Sequence, residues 1–285
     1  TIEFAWDLLT KKYSLPKDRL WVTVFKDDDE SESIWKEDIG MPSDRISRLD
    51  KEDNFWTMGD TGPCGPCSEI FYDHGSEFKG SPPAKGSDPG DRFIEFWNLV
   101  FTQFDRSQDG TLSLLPNPCV DTGMGLERMA AILQGKHNNF ETDLFTPLIE
   151  EAATLCEADD LNDPSLNVIS DHLRASAFLV ADGVSPSNEG RGYVLRRIIR
   201  RALRHADKLG SKKPVLSSMV PTLIKQMGDA YPILKKNSKL IKVNILEEEE
   251  QFALTLVQGM SLLKEEVKNL KEKNIPGELV FKLYD

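Results

Sequence analysis

The sequence predicts an α+β unit followed by an all-α unit, and three observations carry that reading. Runs rich in β-branched and aromatic residues occur only in the first half of the chain. Gly- and Pro-rich connections punctuate that same half. After about residue 138 amphipathic helical spacing takes over and no further strand pattern occurs. Two domains are therefore expected, residues 1–137 and 138–285, which suits a length of 285 residues.

Taken in order, residues 2–9 read as a helix and Leu20–Phe25 as a strand. The acidic stretch from Asp27 to Ile39 reads as a surface helix. Phe55–Met58 is a short strand, Gly59–Pro66 a Gly/Pro loop, and Ser68–Asp73 a strand leaving that loop. Residues 74–91, rich in Gly, Ser and Pro, form a long surface loop. Phe93–Phe101 is mostly apolar, as a buried central strand is. Thr111–Leu115 is a further strand. Cys119-Val120-Asp121 then leads into the turn Thr122–Gly125 and a helix, on which Leu126, Met129, Ala130 and Leu133 share one apolar face. The longest helix is expected from Lys239 to Lys273. In it Leu256, Leu263 and Leu270 recur every seven residues, with Phe252 and Val267 on the same side.

Bulk properties narrow the function. Hydrophobic residues make up 39% and charged residues 29%, which suits a soluble globular protein with a real core. No apolar run is long enough to span a bilayer, so no membrane partner is expected. A net charge of −12 argues against a general nucleic-acid coat, so any phosphate binding must come from a local basic cluster. Four cysteines, Cys64, Cys67, Cys119 and Cys156, indicate a reducing compartment such as the cytoplasm and no disulfide framework. The histidines at 74, 137, 172 and 205 lie at no metal-ligand spacing, so no zinc site is expected. The chain opens Thr1-Ile2-Glu3-Phe4, without Met or a signal-peptide pattern, and reads as a cut within a longer protein.

Three motifs carry chemistry. Cys64-Gly65-Pro66-Cys67 is a redox signature when it opens a helix in a thioredoxin-like βαβ unit. Here Pro63 precedes it and a strand follows, so it reads instead as a rigid loop whose backbone amides can approach a ligand. Asp121-Thr122-Gly123-Met124-Gly125-Leu126-Glu127-Arg128 is a strand–turn–helix junction. Its helix N-terminus favours anions, Arg128 adds a planar donor for phosphate, and Asp121 suits an ammonium group. The plainer reading makes Asp121 an N-cap and Arg128 a solvated side chain. Third, on a helical wheel Arg196, Arg197, Arg200, Arg201, Arg204 and Lys208 share one arc, opposite Leu195, Ile198, Ile199, Ala202, Leu203, Ala206 and Leu209. Six like charges on one face point to a polyanion, with an acidic protein surface or internal carboxylates as the alternatives.

At this point the residues resemble a known family. Gly59-Asp60-Thr61-Gly62-Pro63-Cys64-Gly65-Pro66-Cys67-Ser68-Glu69-Ile70, the strand Glu95–Phe101, the turn Val120–Arg128 and Ser187-Asn188-Glu189-Gly190-Arg191-Gly192-Tyr193-Val194-Leu195-Arg196-Arg197 are together similar to the alanyl-tRNA synthetases, a class II family. The resemblance runs through essentially the whole chain in order. It implies the C-terminal part of a class II antiparallel-sheet catalytic domain, followed by an all-α tRNA-recognition domain. It further implies ATP-dependent activation of alanine to the adenylate, with Mg²⁺, and transfer to the 3′ end of tRNA(Ala). Arg128 would act in catalysis on ATP phosphate, beside Gly125 and Glu69. Trp56, Asn98, Val100, Asp121 and Gly123 would line the alanine pocket. Asn188 and Asp285 would read a G·U wobble pair in the acceptor stem, while Arg196, Arg197, Arg200, Arg201 and Arg204 bind that stem. Class II motifs 1 and 2 and the family's editing domain are not in these 285 residues, so this piece by itself is expected to be inactive. Two alternatives stand beside that reading: a non-catalytic RNA-binding fragment and a CGPC oxidoreductase.

Overall fold

A computed structural model describes residues 1–269 and 276–284. Asp285 and Leu270, both singled out above, lie outside the described residues. The chain forms two compact units, Thr1–Thr142 and Asp143–Asp285.

The first unit opens with helix α1 (Ile2–Asp7), which passes into a π-helical turn at Leu8–Lys12. Strand β1 (Leu20–Phe25) follows as expected. The acidic stretch is not simply a surface helix. It is a short helix, α2 (Asp29–Ser33), running into a second π-helical turn at Ile34–Asp38. Its one large aromatic explains the difference: Trp35 is fully buried, its Nε1 donating to Ser68 Oγ at 2.9 Å, and it packs edge-on against Trp6. Then come β2 (Ile46–Leu49), α3 (Lys51–Asn54), β3 (Phe55–Thr57), β4 (Gly62–Asp73), β5 (Phe93–Arg106), β6 (Leu112–Met124) and α4 (Leu126–Leu133). The sheet order is β2-β1-β4-β5-β6, with β3 paired to β4. Every pairing is antiparallel except β1 with β2.

Two expectations about this sheet change. The Gly/Pro segment is not a loop, because Gly62–Pro66 is the first part of β4, paired with β3 on one side and near β5 on the other. Proline lacks the N–H for a ladder bond and is tolerated at bulges. The register of β4 on β5 does shift, between Cys64 and Cys67. Gly65 is required there, since an added Cβ would lie 2.0 Å from the Phe101 carbonyl oxygen. The two strand segments expected at 111–121 are one strand, β6, which continues through Pro116 and Pro118. Among the described residues it is the last strand of the sheet, and proline costs little at an edge.

One face of the sheet is the core. Leu20, Val22, Val24, Ile70 and Leu99 pack there with Ile2, Trp6, Leu9, Trp35, Met129 and Ile132. The apolar stripe expected on α4 is rotated as a result. Met129 and Ile132 face the core, whereas Leu126 is 61% exposed and Leu133 is also exposed. Both stripes have helical spacing, and only docking on the sheet chooses between them.

In the second unit the described residues contain helices only: α5 (Thr146–Cys156), α6 (Pro164–Ala181), α7 (Gly190–Lys208), α8 (Leu216–Met227), α9 (Pro232–Lys236), α10 (Ser238–Asn269) and α11 (Gly277–Tyr284). Asp163 caps α6, accepting from Ser165 N at 2.8 Å with Pro164 in the first turn. The packed stripe of α10 is Ile241, Ile245, Glu248, Glu249 and Phe252, nearer its start than the seven-residue repeat suggested. Leu256 and Leu263 are only half-buried and Val267 is exposed. Glu249 caps α8 from a distance. Its carboxylate accepts from the backbone N–H groups of Val215, Leu216 and Ser217, each at 2.9 Å.

Candidate active site and basic helix

The sheet face opposite the core carries a polar patch built by strand register. Residues directly opposite in neighbouring antiparallel strands hold their Cβ atoms about 4.5–5.5 Å apart. Glu69 of β4 stands opposite Asn98 of β5, which stands opposite Gly123 of β6. Two residues along, Cys67 stands opposite Val100, which stands opposite Asp121. Two rows across three strands thus assemble six of the residues singled out above. On this patch Gly123 has nothing within 4 Å of where a Cβ would be, which leaves open space across from Asn98.

Trp56 lies opposite Gly65, and its backbone N–H reaches the Cys67 sulfur. Asn98 also donates to that sulfur, while its own Oδ1 is buried with no hydrogen-bond partner. An unpaired buried acceptor is costly, and such atoms mark places where a donor is wanted. Asp121 is exposed on the edge strand. It is not an N-cap, because Gly125 occupies that position on α4.

Beneath the patch lies a polar network the sequence did not disclose. Thr23 Oγ1 donates to Glu69 Oε2 at 3.2 Å, and Asn54 Nδ2 donates to Thr23 Oγ1 at 2.9 Å and to the Cys67 carbonyl at 3.2 Å. Thr23 and Asn54 are fully buried. Burial, then the nearby charge of Glu95, pushes the Glu69 carboxyl up to about 7, although the Thr23 hydrogen bond opposes the shift. Burial, with the Glu69 charge adding to it, pushes the Cys67 thiol up to about 12. Cys64 is raised too, again chiefly by burial. Thiols held so strongly in the protonated form make poor nucleophiles, which weighs against an oxidoreductase.

Arg128 sits in the first turn of α4, about half exposed. Its Nη1 donates to the Glu95 carbonyl and lies 3.8 Å from the Glu95 carboxylate. Gly125 lets it lie back on the turn, since an added Cβ would come within 3.2 Å of Arg128 Cδ. Glu95 therefore aims Arg128, a role no motif indicated. The fold also brings together two histidines that are far apart in sequence. His74 and His137 stand with ring centroids 5.1 Å apart, and His137 stacks on Phe78. Burial, then the His137 charge, lowers His74 below the usual histidine value. Among the described residues no group of three or more His, Cys, Asp or Glu side chains could hold a metal ion.

In the second unit α7 presents Leu195, Ile199, Ala202 and Ala206 to the core, the face expected for docking. The basic arc divides in two. Arg197, Arg201, Arg204 and Lys208 are exposed, with Arg197 over the Tyr193 ring. Arg196 and Arg200 turn inward, both donating through Nε to Glu248 Oε1 on α10, at 3.1 and 2.5 Å. The internal-carboxylate alternative thus accounts for two of the arginines. Asn188 is exposed just before α7, and its Oδ1 accepts from Arg196 Nη1.

The whole chain, residues 1–285, matches the family described as tRNA synthetases class II (A). The chain belongs to the class II tRNA synthetases. Curated relatives agree along its full length. The protein named alanine–tRNA ligase in Idiomarina loihiensis is 57% identical over 284 residues, covering 100% of this chain. Those of the same name in Pseudoalteromonas translucida and Francisella philomiragia are 57% and 55% identical over the same span. This class II synthetase chain spans 33% of the length of each of these relatives. Its mixed, mostly antiparallel sheet followed by a helical region suits that family. No described helix is long and apolar enough to cross a membrane.

Proposed function

We propose that the protein containing this chain is an alanine–tRNA ligase, and that the chain carries its alanine pocket, its helix-borne ATP-phosphate arginine and its acceptor-stem face. The observation that carries the reading is the pair of rows in register, Glu69–Asn98–Gly123 and Cys67–Val100–Asp121, in a chain whose relatives bear that name. The Asp121 carboxylate pairs with the alanine ammonium. Asn98 Oδ1, otherwise unpaired, accepts a hydrogen from the same group. Val100 and Trp56 wall the methyl group, and the missing side chain at Gly123 makes room for the substrate backbone.

No protein nucleophile is needed. An alanine carboxylate oxygen attacks the α-phosphorus of ATP, the bond to the bridging oxygen breaks, and pyrophosphate leaves with that electron pair. A terminal ribose hydroxyl of tRNA(Ala) then attacks the adenylate carbonyl, releasing AMP. The protein contributes positioning and charge. Arg128, aimed by Glu95, binds ATP phosphate at the start of α4 next to Gly125. Glu69 would be the carboxylate that holds the magnesium of the triphosphate, which would supply charge neutralisation there. In a pocket this small one methylene or hydroxyl is worth only about 1–3 kcal/mol, so glycine and serine compete as substrates.

Arg197, Arg201 and Arg204 supply phosphate contacts to the acceptor stem, and Asn188 reads a base edge of the wobble pair. Asp285 carries a second base-edge role by family resemblance. The cytoplasm suits such an enzyme. The reading is tested by alanine-dependent ATP–pyrophosphate exchange in the full-length protein. Exchange with alanine, lost on Arg128→Ala, is the expected result. Exchange that needs another amino acid, or none, refutes it.

A further inference from the structure

The run Glu247–Glu250 has the look of a solvated acidic face, yet two of its members are almost wholly buried, Glu248 at 5% and Glu249 at 4% exposure. Glu249 caps α8, as described above. Glu248 has a different task. Its Oε1 accepts from Arg196 Nε and from Arg200 Nε, two arginines one helical turn apart on α7. Arg200 is further held over the Phe252 ring, 5.0 Å from its centroid. Arg196 has a second arm, and its Nη1 donates to Asn188 Oδ1.

The chemistry of that last contact dictates a direction. A guanidinium carries only donors, so the Asn188 amide must turn its oxygen toward Arg196. Its NH₂ group is then the end that faces away. Among the described residues no other side-chain hydrogen bond holds Asn188. It is exposed, and it does not cap α7, whose N-cap is Glu189 without a side-chain hydrogen bond. The segment before it is seated tightly on the helix. A Cβ at Gly192 would lie 2.2 Å from Ser187 Oγ and 2.4 Å from the Ser185 carbonyl oxygen. Only glycine at 192 allows this approach, which holds Asn188 within reach of Arg196.

We propose that Glu248, acting through Arg196, is a positioning residue that orients the Asn188 amide so that it offers an NH₂ donor to an acceptor atom on an RNA base edge. The ligand group is thereby defined as a carbonyl oxygen or ring nitrogen, not an exocyclic amine. This deepens the acceptor-stem reading of α7 and rests on it for the identity of the ligand. The orientation of the amide rests only on the contacts just given. Arginine is needed in the middle because its planar fork serves two acceptors from different edges. A lysine ammonium is a single nitrogen and cannot bridge Glu248 and Asn188 in this way.

The test uses the 285-residue chain labelled with ¹⁵N. The Asn188 NH₂ pair and the Nε–H signals of Arg196 and Arg200 are followed in the wild type, Glu248→Gln and Arg196→Lys. Slow water exchange of both arginine Nε–H groups is expected in the wild type. Glu248→Gln should accelerate it and shift the Asn188 pair. Arg196→Lys should shift the Asn188 pair while leaving Arg200 protected. An Asn188 pair unmoved in Arg196→Lys overturns the proposal, and this arm decides even if Glu248→Gln fails to fold. The same proteins are titrated with acceptor-stem hairpins carrying a wobble or a Watson–Crick pair. Arg196→Lys should lose the preference that Asn188→Ala loses, roughly tenfold, and the double variant should lose no more. A preference kept in full by Arg196→Lys also overturns it. A wild type with the coupled signals but no stem preference refutes the acceptor-stem reading and leaves the relay from Glu248 to Asn188 standing.

Discussion

Replacing Glu69 with Gln should stabilise the first unit at pH 8 and weaken the enzyme at the same time. The unfolded chain ionises this carboxyl near 4.5, whereas the folded protein holds its proton up to about 7. The folded value is raised, so the folded state binds more protons between those limits and stability falls as pH rises through that window. Below about pH 4 both states are protonated and the group contributes nothing. Above about pH 8 both are ionised and the full penalty applies. A difference of roughly 2.5 pK units corresponds to a penalty of about 3 kcal/mol, a ceiling because the carboxyl keeps some contact with water. Glutamine keeps the size of the side chain, and its oxygen can still accept from Thr23 Oγ1. All five tryptophans, at 6, 21, 35, 56 and 97, lie in the first unit, so urea unfolding followed by tryptophan fluorescence reports that unit alone. Wild type and variant should have similar stability at pH 4, and the variant should be about 1–3 kcal/mol more stable at pH 8. An equal or lower stability of the variant at pH 8 would refute the argument that burial and Glu95 hold the proton on Glu69. If Glu69 holds magnesium–ATP as proposed, the same variant should lose exchange activity in the full-length protein.

Three further outcomes follow from the geometry. Asp121→Ala in the full-length protein should cost on the order of 2–5 kcal/mol in kcat/KM for alanine with the fold intact, and unchanged alanine kinetics would remove Asp121 from the pocket. Arg201→Ala combined with Arg204→Ala should weaken every acceptor-stem hairpin alike and reduce the magnitude of the log Kd against log salt slope by about 2, whereas Asn188→Ala should leave that slope alone. Gly65→Ala places a Cβ 2.0 Å from the Phe101 carbonyl oxygen, so it should destabilise the first unit by about 3 kcal/mol or more in the same fluorescence assay, and an unshifted midpoint would contradict the close approach of β4 and β5.

The segments legible in the sequence are those whose local chemistry admits one answer. Leu20–Phe25 is rich in β-branched and aromatic residues and is a strand with the bounds expected. The α7 pattern separates a wide apolar stripe from a basic arc, and the helix docks by that stripe. The α+β to all-α division and the class II family were readable for the same reason: long motifs in order leave little freedom. Tertiary structure decided whatever depends on a partner distant in sequence. Gly62–Pro66 has loop composition, yet β3 and the bulge against β5 draw it into the sheet. On α4 two stripes satisfy helical spacing, and only the sheet beneath selects Met129 and Ile132 over Leu126 and Leu133. Arg196 and Arg200 share one basic arc with Arg197 and Arg201 on a helical wheel, and it takes Glu248, some fifty residues on, to turn the first pair inward. Glu69 is one more polar residue of a strand in the sequence, and it is burial in the folded unit, with the charge of Glu95 nearby, that raises its affinity for a proton against the opposing Thr23 hydrogen bond. The physical reason is common to all four. Side-chain periodicity is a local property of the chain, whereas desolvation, ion pairing and close backbone approach belong to pairs of elements and exist only once the chain has brought them together.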